Sequence, residues 1–260
     1  MKFASIGDFC VDTYPHENIL GGTSYNSAIA ARKFGASVSI TSAIGKDSNG
    51  LAYQQILQKQ HIDTTHLAQM AKPTSTVAIT LDESNSPIFG KWNLGVLEDW
   101  QLNDSDLQFI KQHNVAKAIL LKPLKKNFVK FCQSKMPHML KAGDFAGDSL
   151  YSYSVEEISK YIDGLDVAIK SVDAKDATTI SAMKQLAKQH NKIVLITLGE
   201  KGSICFSGEK IYQQPAPKIT TTNTTGFGDT YIAVFLIEYF KTKDIQHAMY
   251  TATEEVAKSV

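Results

Sequence analysis

The stretch Thr224-Thr225-Gly226-Phe227-Gly228-Asp229-Thr230-Tyr231 runs without a break into the apolar segment IAVFLI at 232–237. A Gly-x-Gly turn opening directly into a helix exposes backbone N–H groups that have no intrahelical partner, and the helix dipole adds positive potential at the same point. That combination is an anion cradle. A carboxylate is a poor ligand for such a cradle, so Asp229 at its mouth asks for another role, and a base beside a transferring phosphoryl group is one. An acid near a helix start is also a common cap, and glycine a common turn residue. Context shifts the weight toward chemistry: the segment lies late in an alternating α/β chain, and a second glycine-rich turn stands near the N-terminus.

Working back from that turn, the chain alternates strand and helix. Residues 2–6 read as a buried strand, 22–34 as a helix stopped by Gly35, 37–44 as the next strand and about 49–58 as a helix. Such a series imposes parallel strands joined by crossover helices. It resumes with helices at 104–112, 125–134, 155–161 and 177–190, and strands at 117–121, 140–145, 167–170 and 192–198. A hairpin of 202–206 and 210–213 precedes the Gly226 helix, and a last helix at 245–258 carries Ile245, Ala248, Met249, Ala252 and Val256 on one face. The segment 74–90 is different. Val77, Ile79 and Leu81 alternate with Ala78, Thr80 and Asp82, and Asp82 to Pro87 makes a turn, so this is a β-hairpin. Two strands are not stable alone in water, and 10–14 could add a third, giving a small lid sheet outside the main layer.

The 260 residues can bury one substantial core, and one main domain is expected. Twenty-seven basic and 26 acidic side chains nearly cancel, which argues against nucleic acid or an anionic membrane as partner and for small-molecule work. Cys10, Cys132 and Cys205 are scattered and form no metal-binding spacing, as suits a reducing compartment. Gly7 and Asp8 come too early for a signal-peptide core, and no apolar stretch approaches a membrane span, so a cytoplasmic location is expected.

Three further patterns complement the Gly226 turn. Gly7-Asp8-Phe9-Cys10-Val11-Asp12 follows the first strand, where ligand groups gather in an open parallel sheet. Paired carboxylates accept hydrogen bonds only and can fix sugar hydroxyls. One acid capping a turn with the other solvated is the equally weighted alternative. Gly21-Gly22 opens a helix in which Asn26 lies one turn inside, able to offer donor and acceptor to a ligand; an ordinary helix entry would look the same. Thr197-Leu198-Gly199-Glu200-Lys201-Gly202-Ser203 ends a strand in a glycine turn, which a plain hairpin also explains. No GxxxxGK[ST] occurs, and no GxGxxG follows the first strand, so P-loop and dinucleotide readings drop out.

Together, Gly21-Gly22 with Asn26, Gly45-Lys46-Asp47 with Gly50, Thr197-Leu198-Gly199 with Gly202-Ser203, and Thr224 to Asp229 resemble the ribokinase-like, or PfkB, carbohydrate kinase family, in order along nearly the whole chain. IGDFCVDTYP at 6–15 and FGKWNLGV from Phe89 look like its fructoselysine 6-kinase branch. The resemblance implies a three-layer α/β/α fold with a mostly parallel sheet and lid segments at about 10–20 and 74–92. It implies ATP and Mg²⁺ as cofactors and phosphorylation of a primary hydroxyl on a sugar or sugar-amine. Asp12, Gly21, Gly22 and Asn26 would hold the sugar, with Phe89 as a lid-side wall. Asp229 would take the acceptor proton, and Gly226, Phe227 and Gly228 would turn amides to the developing charge. Thr197, Gly199 and Gly202 would line the nucleotide. A homodimer through the open lid edges fits the same picture, and a nucleoside or simple-sugar kinase, or a catalytically impaired homologue that only binds, are the alternatives.

The chain departs from the family pattern in three places. Asn223-Thr224 stands for the usual Asp-Thr, and Phe227 for a small residue between the glycines, so its ring must find room beside the phosphates. Ser171-Val172-Asp173-Ala174 replaces the Asn-x-x-Glu motif linked to magnesium, leaving Asp144 and Asp173 as weak substitutes.

Overall fold

The structure, a computed structural model, describes residues 1–81, 87–147, 153–218 and 226–258. In chain order the first half comprises β1 (Lys2–Ile6), β2 (Cys10–Thr13), β3 (Asn18–Gly21), α1 (Thr23–Lys33), β4 (Ser37–Gly45), α2 (Ser48–Lys59), β5 (Asp63–Met70), β6 (Ser75–Leu81) and β7 (Pro87–Asn93). Next come α3 (Asp104–Ile110), β8 (Val115–Ile119), α4 (Lys125–Gln133), β9 (Leu140–Asp144), α5 (Val155–Ser159), β10 (Val167–Ser171) and α6 (Ala177–His190). The chain closes with β11 (Ile193–Thr197), β12 (Ser203–Ser207), β13 (Lys210–Gln214), α7 (Phe227–Thr242) and α8 (Ile245–Lys258).

The main sheet has the order β13-β12-β11-β10-β9-β8-β1-β4-β5. Every pairing from β11 through to β5 is parallel, and only the terminal hairpin runs antiparallel. Strands buried on both faces explain the continuous apolar runs of the sequence. Phe3, Val115, Ala142, Ile169 and Leu195 pack with α1, α2, α7 and α8 in one core layer. Ala4, Ala116, Ala118, Ala168 and Val194 pack with α3, α4, α5 and α6 in the other. The period of two along each strand thus builds the expected α/β/α sandwich.

Helix α7 is apolar all round: Tyr231 through Ile237 are buried without exception. Such a helix must be enclosed on every side, and α7 lies between α1 and α8 over the sheet. Its N-terminus is fixed by that burial.

The lid is a second sheet, order β3-β2-β6-β7, in which β2 pairs parallel to β6 and β6 antiparallel to β7. Cys10, Val77 and Ile79 form its small core, with Tyr14, Phe89 and Trp92 packed against them. The expected turn at 82–86 lies outside the described residues. Two strands were not anticipated: β3 within the lid, and β5, which extends the main sheet beyond β4. Strand β8 begins two residues before the expected start at Lys117, so that lysine sits inside the strand.

Candidate active site

The C-terminal ends of the parallel strands face one side of the sheet, where ligands bind in open α/β folds. Helix α7 brings its N-terminus to that side. Gly226 caps it in the left-handed conformation, φ 79°, and no side chain of a described residue closes the helix start. The first intrahelical bond is Thr230 N–H to the Gly226 carbonyl, so the amides of Phe227, Gly228 and Asp229 have no acceptor within the helix. Gly228 is exposed, and a side chain there would meet open space. Phe227 packs its ring against the core layer of α1 and α8. The room its ring needs is therefore found, at least in part, against that core layer. Asn223, Thr224 and Thr225 lie outside the described residues.

Asp229 is largely buried, its side chain 14% exposed. Asn26 on α1 donates its Nδ2 to Asp229 Oδ2 at 3.0 Å. A side chain on Gly226 would approach Asn26 to 3.7 Å, so the two glycine-rich helix starts, 200 residues apart in sequence, meet here. One N–H of the Asn26 amide is thus given to the acid, which leaves its second N–H and its Oδ1 for a ligand. Burial pushes Asp229 up to about 7; Lys117 and the Asn26 bond oppose this, and the charges of Asp144 and Asp8 add to it.

Lys117 was not among the expected site residues. Its side chain is 1% exposed and its Nζ lies 2.9 Å from Asp144 Oδ2 and 3.7 Å from Asp229 Oδ1, while donating to Ser27 Oγ at 2.9 Å. Burial works against the ammonium, but the charges of Asp144, Asp229 and Asp8 outweigh it and hold its pKa above the ordinary lysine value. The pair is built by register. Lys117 stands opposite Ala142 on β9, two residues short of Asp144, a separation of about 7 Å that the lysine stem spans.

On the acceptor side, the two carboxylates of the first turn divide their work. Asp8 accepts from Thr23 N–H and Ser24 N–H, both at 3.1 Å, and so caps α1 from a distance. This corrects the paired-acid reading, because neither oxygen of Asp8 is left free of the helix. Asp12 differs: it is 8% exposed, and its carboxylate accepts no hydrogen bond from any described residue. Burial, reinforced by the charge of Asp8, pushes it up to about 6. Gly21 lies directly against it, since an added side chain would meet Asp12 Oδ2 at 2.7 Å. Gly22, φ 98°, admits no side chain, because one would strike the Asp8 carbonyl at 2.7 Å. The turn is further clamped by Tyr53, whose hydroxyl donates to the Gly21 carbonyl at 2.8 Å and accepts from its N–H at 3.1 Å. A buried acceptor with no donor, on a rigid turn, is prepared for hydroxyl donors from outside.

The Gly45 to Gly50 signature is a fastening. Asp47 accepts from Gly50 N–H at 2.8 Å and from both the amide and the hydroxyl of Thr74, which in turn receives Gly45 N–H at 2.9 Å. This ties the root of the lid hairpin to the end of β4. Farther along the lid, Trp92 Nε1 donates to Ser75 Oγ at 2.7 Å, and Phe89 is half-buried in the lid core.

On the other flank, Thr197 ends β11 with its hydroxyl 2.8 Å from that of Ser171. Gly199, φ 56°, borders open space, and Gly202, φ 94°, is held tight against the Gln214 carbonyl. Ser203 then meets the Tyr231 hydroxyl at 2.6 Å, which links this turn to α7 two residues beyond Asp229.

The uncapped amides and open glycines suit the phosphates of a nucleotide. A protein-held divalent cation fits less well. Among the described residues no three His, Cys, Asp or Glu side chains come together as a metal site. Asp144 accepts from Ala146 N–H at 2.9 Å and pairs with Lys117, whereas exposed Asp173 accepts from Lys175 N–H at 2.8 Å through one oxygen only. Among the described residues no helix is long and apolar enough to cross a membrane.

A parallel sheet, an unblocked helix start at its C-terminal side, a buried acid at that start and a β lid define a small-molecule kinase of the ribokinase type. The pfkB family carbohydrate kinase model matches residues 16–255, and the chain belongs to that family of ATP-using phosphotransferases with an alcohol acceptor. It is 27% identical to the fructoselysine 6-kinase of Escherichia coli (strain K12) over 99% of this chain and 96% of that protein. It is 24% identical to a fructosamine kinase of Bacillus subtilis (strain 168), over 100% and 90% respectively. Arabidopsis thaliana ribokinase, solved with ribose and ATP, shares the fold at a TM-score of 0.81 and 18% identity, covering 98% of this chain and 91% of that one.

Proposed function

We propose that this chain transfers the γ-phosphoryl group of ATP to a primary hydroxyl of a sugar-amine, a fructosamine such as fructoselysine being phosphorylated at O6. The observation that carries the reading is Asp229: a buried acid, poised near neutrality, at the mouth of a helix whose first amides no described residue claims. Asp12, with Gly21 and Gly22, receives the sugar hydroxyls, and Phe89 closes over them from the lid. Asp229 takes the proton of the acceptor hydroxyl as its oxygen bonds to the γ-phosphorus and the bond to the β–γ bridging oxygen breaks, releasing ADP. Gly226, Phe227 and Gly228 turn their amides toward the charge on the transferred group, and Asn26 holds Asp229 in line. Thr197, Gly199 and Gly202 line the nucleotide. Positioning and charge stabilisation supply most of the acceleration in such a transfer. Magnesium, when bound, would neutralise phosphate charge, and the chain offers no cluster of three ligating side chains among the described residues to hold it by itself.

The choice of acceptor rests on similarity along nearly the whole chain to fructoselysine and fructosamine kinases. A second copy covering the open edges of the lid sheet belongs to the same proposal, and light scattering of the purified protein reads it directly. The reading is tested by a coupled ADP-release screen with Mg-ATP across fructoselysine, other fructosamines, fructose, ribose and nucleosides. Fructosamines are expected to give the highest kcat/KM. Turnover confined to nucleosides or simple sugars would move the acceptor. Binding by calorimetry without ADP release would make the chain a binding homologue.

A further inference from the structure

A lysine in the middle of a central strand, 1% exposed, demands a reason, because taking an ammonium out of water costs several kcal/mol unless it is closely partnered. Asp144 is one such partner, and a Lys–Asp pair alone would account for burial. It would not account for the two further neighbours of the ammonium, Ser27 and Asp229. The stem of Lys117 runs toward the C-terminal side of the sheet, and its ammonium stops between β9 and the helix starts of α1 and α7. There it has Asp144 and Ser27 at 2.9 Å and Asp229 at 3.7 Å. The last distance is too long for a hydrogen bond yet short for two charges in a buried site.

Resting on the reading of Asp229 as the base, we infer that Lys117 is a positioning residue for phosphoryl transfer: anchored by Asp144 and Ser27, its ammonium favours the ionised form of Asp229, the form able to accept the acceptor's proton. The groups facing Asp229 are few. Asn26 on α1 is neutral, Asp144 on β9 and Asp8 after β1 are acids, and among the described residues Lys117 on β8 is the cation that acts on it. Two acids and burial favour the protonated form; Lys117 is what opposes them most strongly. Without it, Asp229 would hold its proton through the neutral range and could not take another.

The inference separates charge from packing. Lys117→Met keeps the stem and removes the ammonium. Loss of an adjacent cation raises a carboxyl group by about 1–3 units, so at pH 7 turnover should fall about 5-fold or more and recover as pH rises. Because Lys117→Met strands Asp144, the double variant Lys117→Met/Asp144→Asn removes the whole pair and leaves no stranded charge at Asp144. Its Asp229 should still titrate higher than in the unmodified protein, though by less, since the Asp144 charge is removed too.

The experiment is a ¹³C NMR titration of protein labelled at aspartate Cγ, with the Asp229 signal assigned by its loss in Asp229→Asn. An upward movement of the Asp229 titration by one unit or more in Lys117→Met, or by a smaller upward step in the double variant if the single one does not fold, supports the inference. An unmoved or lowered titration overturns it, whatever happens to turnover. Full ADP release by Asp229→Asn would instead overturn the reading of Asp229 as the base, so the two failures are distinct.

Discussion

Asp229→Asn should make the protein more stable as it makes it inactive, and the gain should appear only as the pH rises. In the folded chain Asp229 titrates at about 7, against 3.8 for an unburied aspartate. Between those values the folded state holds a proton that the unfolded state has released. Stability from this group is therefore complete below pH 4 and is lost as pH climbs through about 7. From pH 5 to pH 8 the wild type loses about 3 kcal/mol that the Asn variant, with nothing to titrate, retains. For a chain of this size 1 kcal/mol corresponds to about 2–4 °C in Tm, so the variant's lead over wild type should widen by about 5–10 °C across that interval. Calorimetric unfolding of both proteins at pH 5 and pH 8 reads it. A Tm difference that stays constant between the two pH values would refute the reasoning, because it would mean that Asp229 ionises in the folded protein as it does in water.

Two further outcomes follow from the same geometry. Asp12→Asn should raise the KM for the acceptor by about 10- to 100-fold, the loss of hydrogen bonds to a charged group, with little change in kcat; an unchanged KM would remove Asp12 from the sugar site. Gly22→Ala should lower stability by about 2–4 kcal/mol, because φ 98° is combined with a carbonyl at 2.7 Å. Gly35→Ala, with φ 88° but open space, should cost only about 1–2 kcal/mol, and equal losses at the two sites in thermal unfolding would contradict the steric account.

The alternation of apolar strands and amphipathic helices was enough to read the parallel sheet, because β1, β4, β9, β10 and β11 are buried on both faces. Strand β5 escaped because it is an edge: Asp63-Thr64-Thr65-His66 carries no apolar period, and only pairing with β4 makes it a strand. Lys117 escaped for a related reason. A charge in a strand pattern reads as its border, which places the start at Lys117, whereas the flanking Val115 and Ala116 put the lysine inside. That lysine inside the apolar run VAKAILL was the available signal. The roles of Asp8 and Asn26 depend on partners brought close by folding. Asp8 looked like half of a sugar-binding pair but is a remote helix cap, and Asn26 reaches an acid 203 positions away. The Asp229 turn was legible because its parts are contiguous: glycine, helix start and acid lie within four residues.

The account stands most directly on the turnover of Asp229→Asn relative to wild type, measured by ADP release with the acceptor that the screen selects, alongside calorimetry of acceptor binding. Loss of an acid–base group should lower kcat by about two to four orders of magnitude while acceptor affinity is preserved. Turnover close to that of the wild type, with binding intact, would show that the proton leaves by another route.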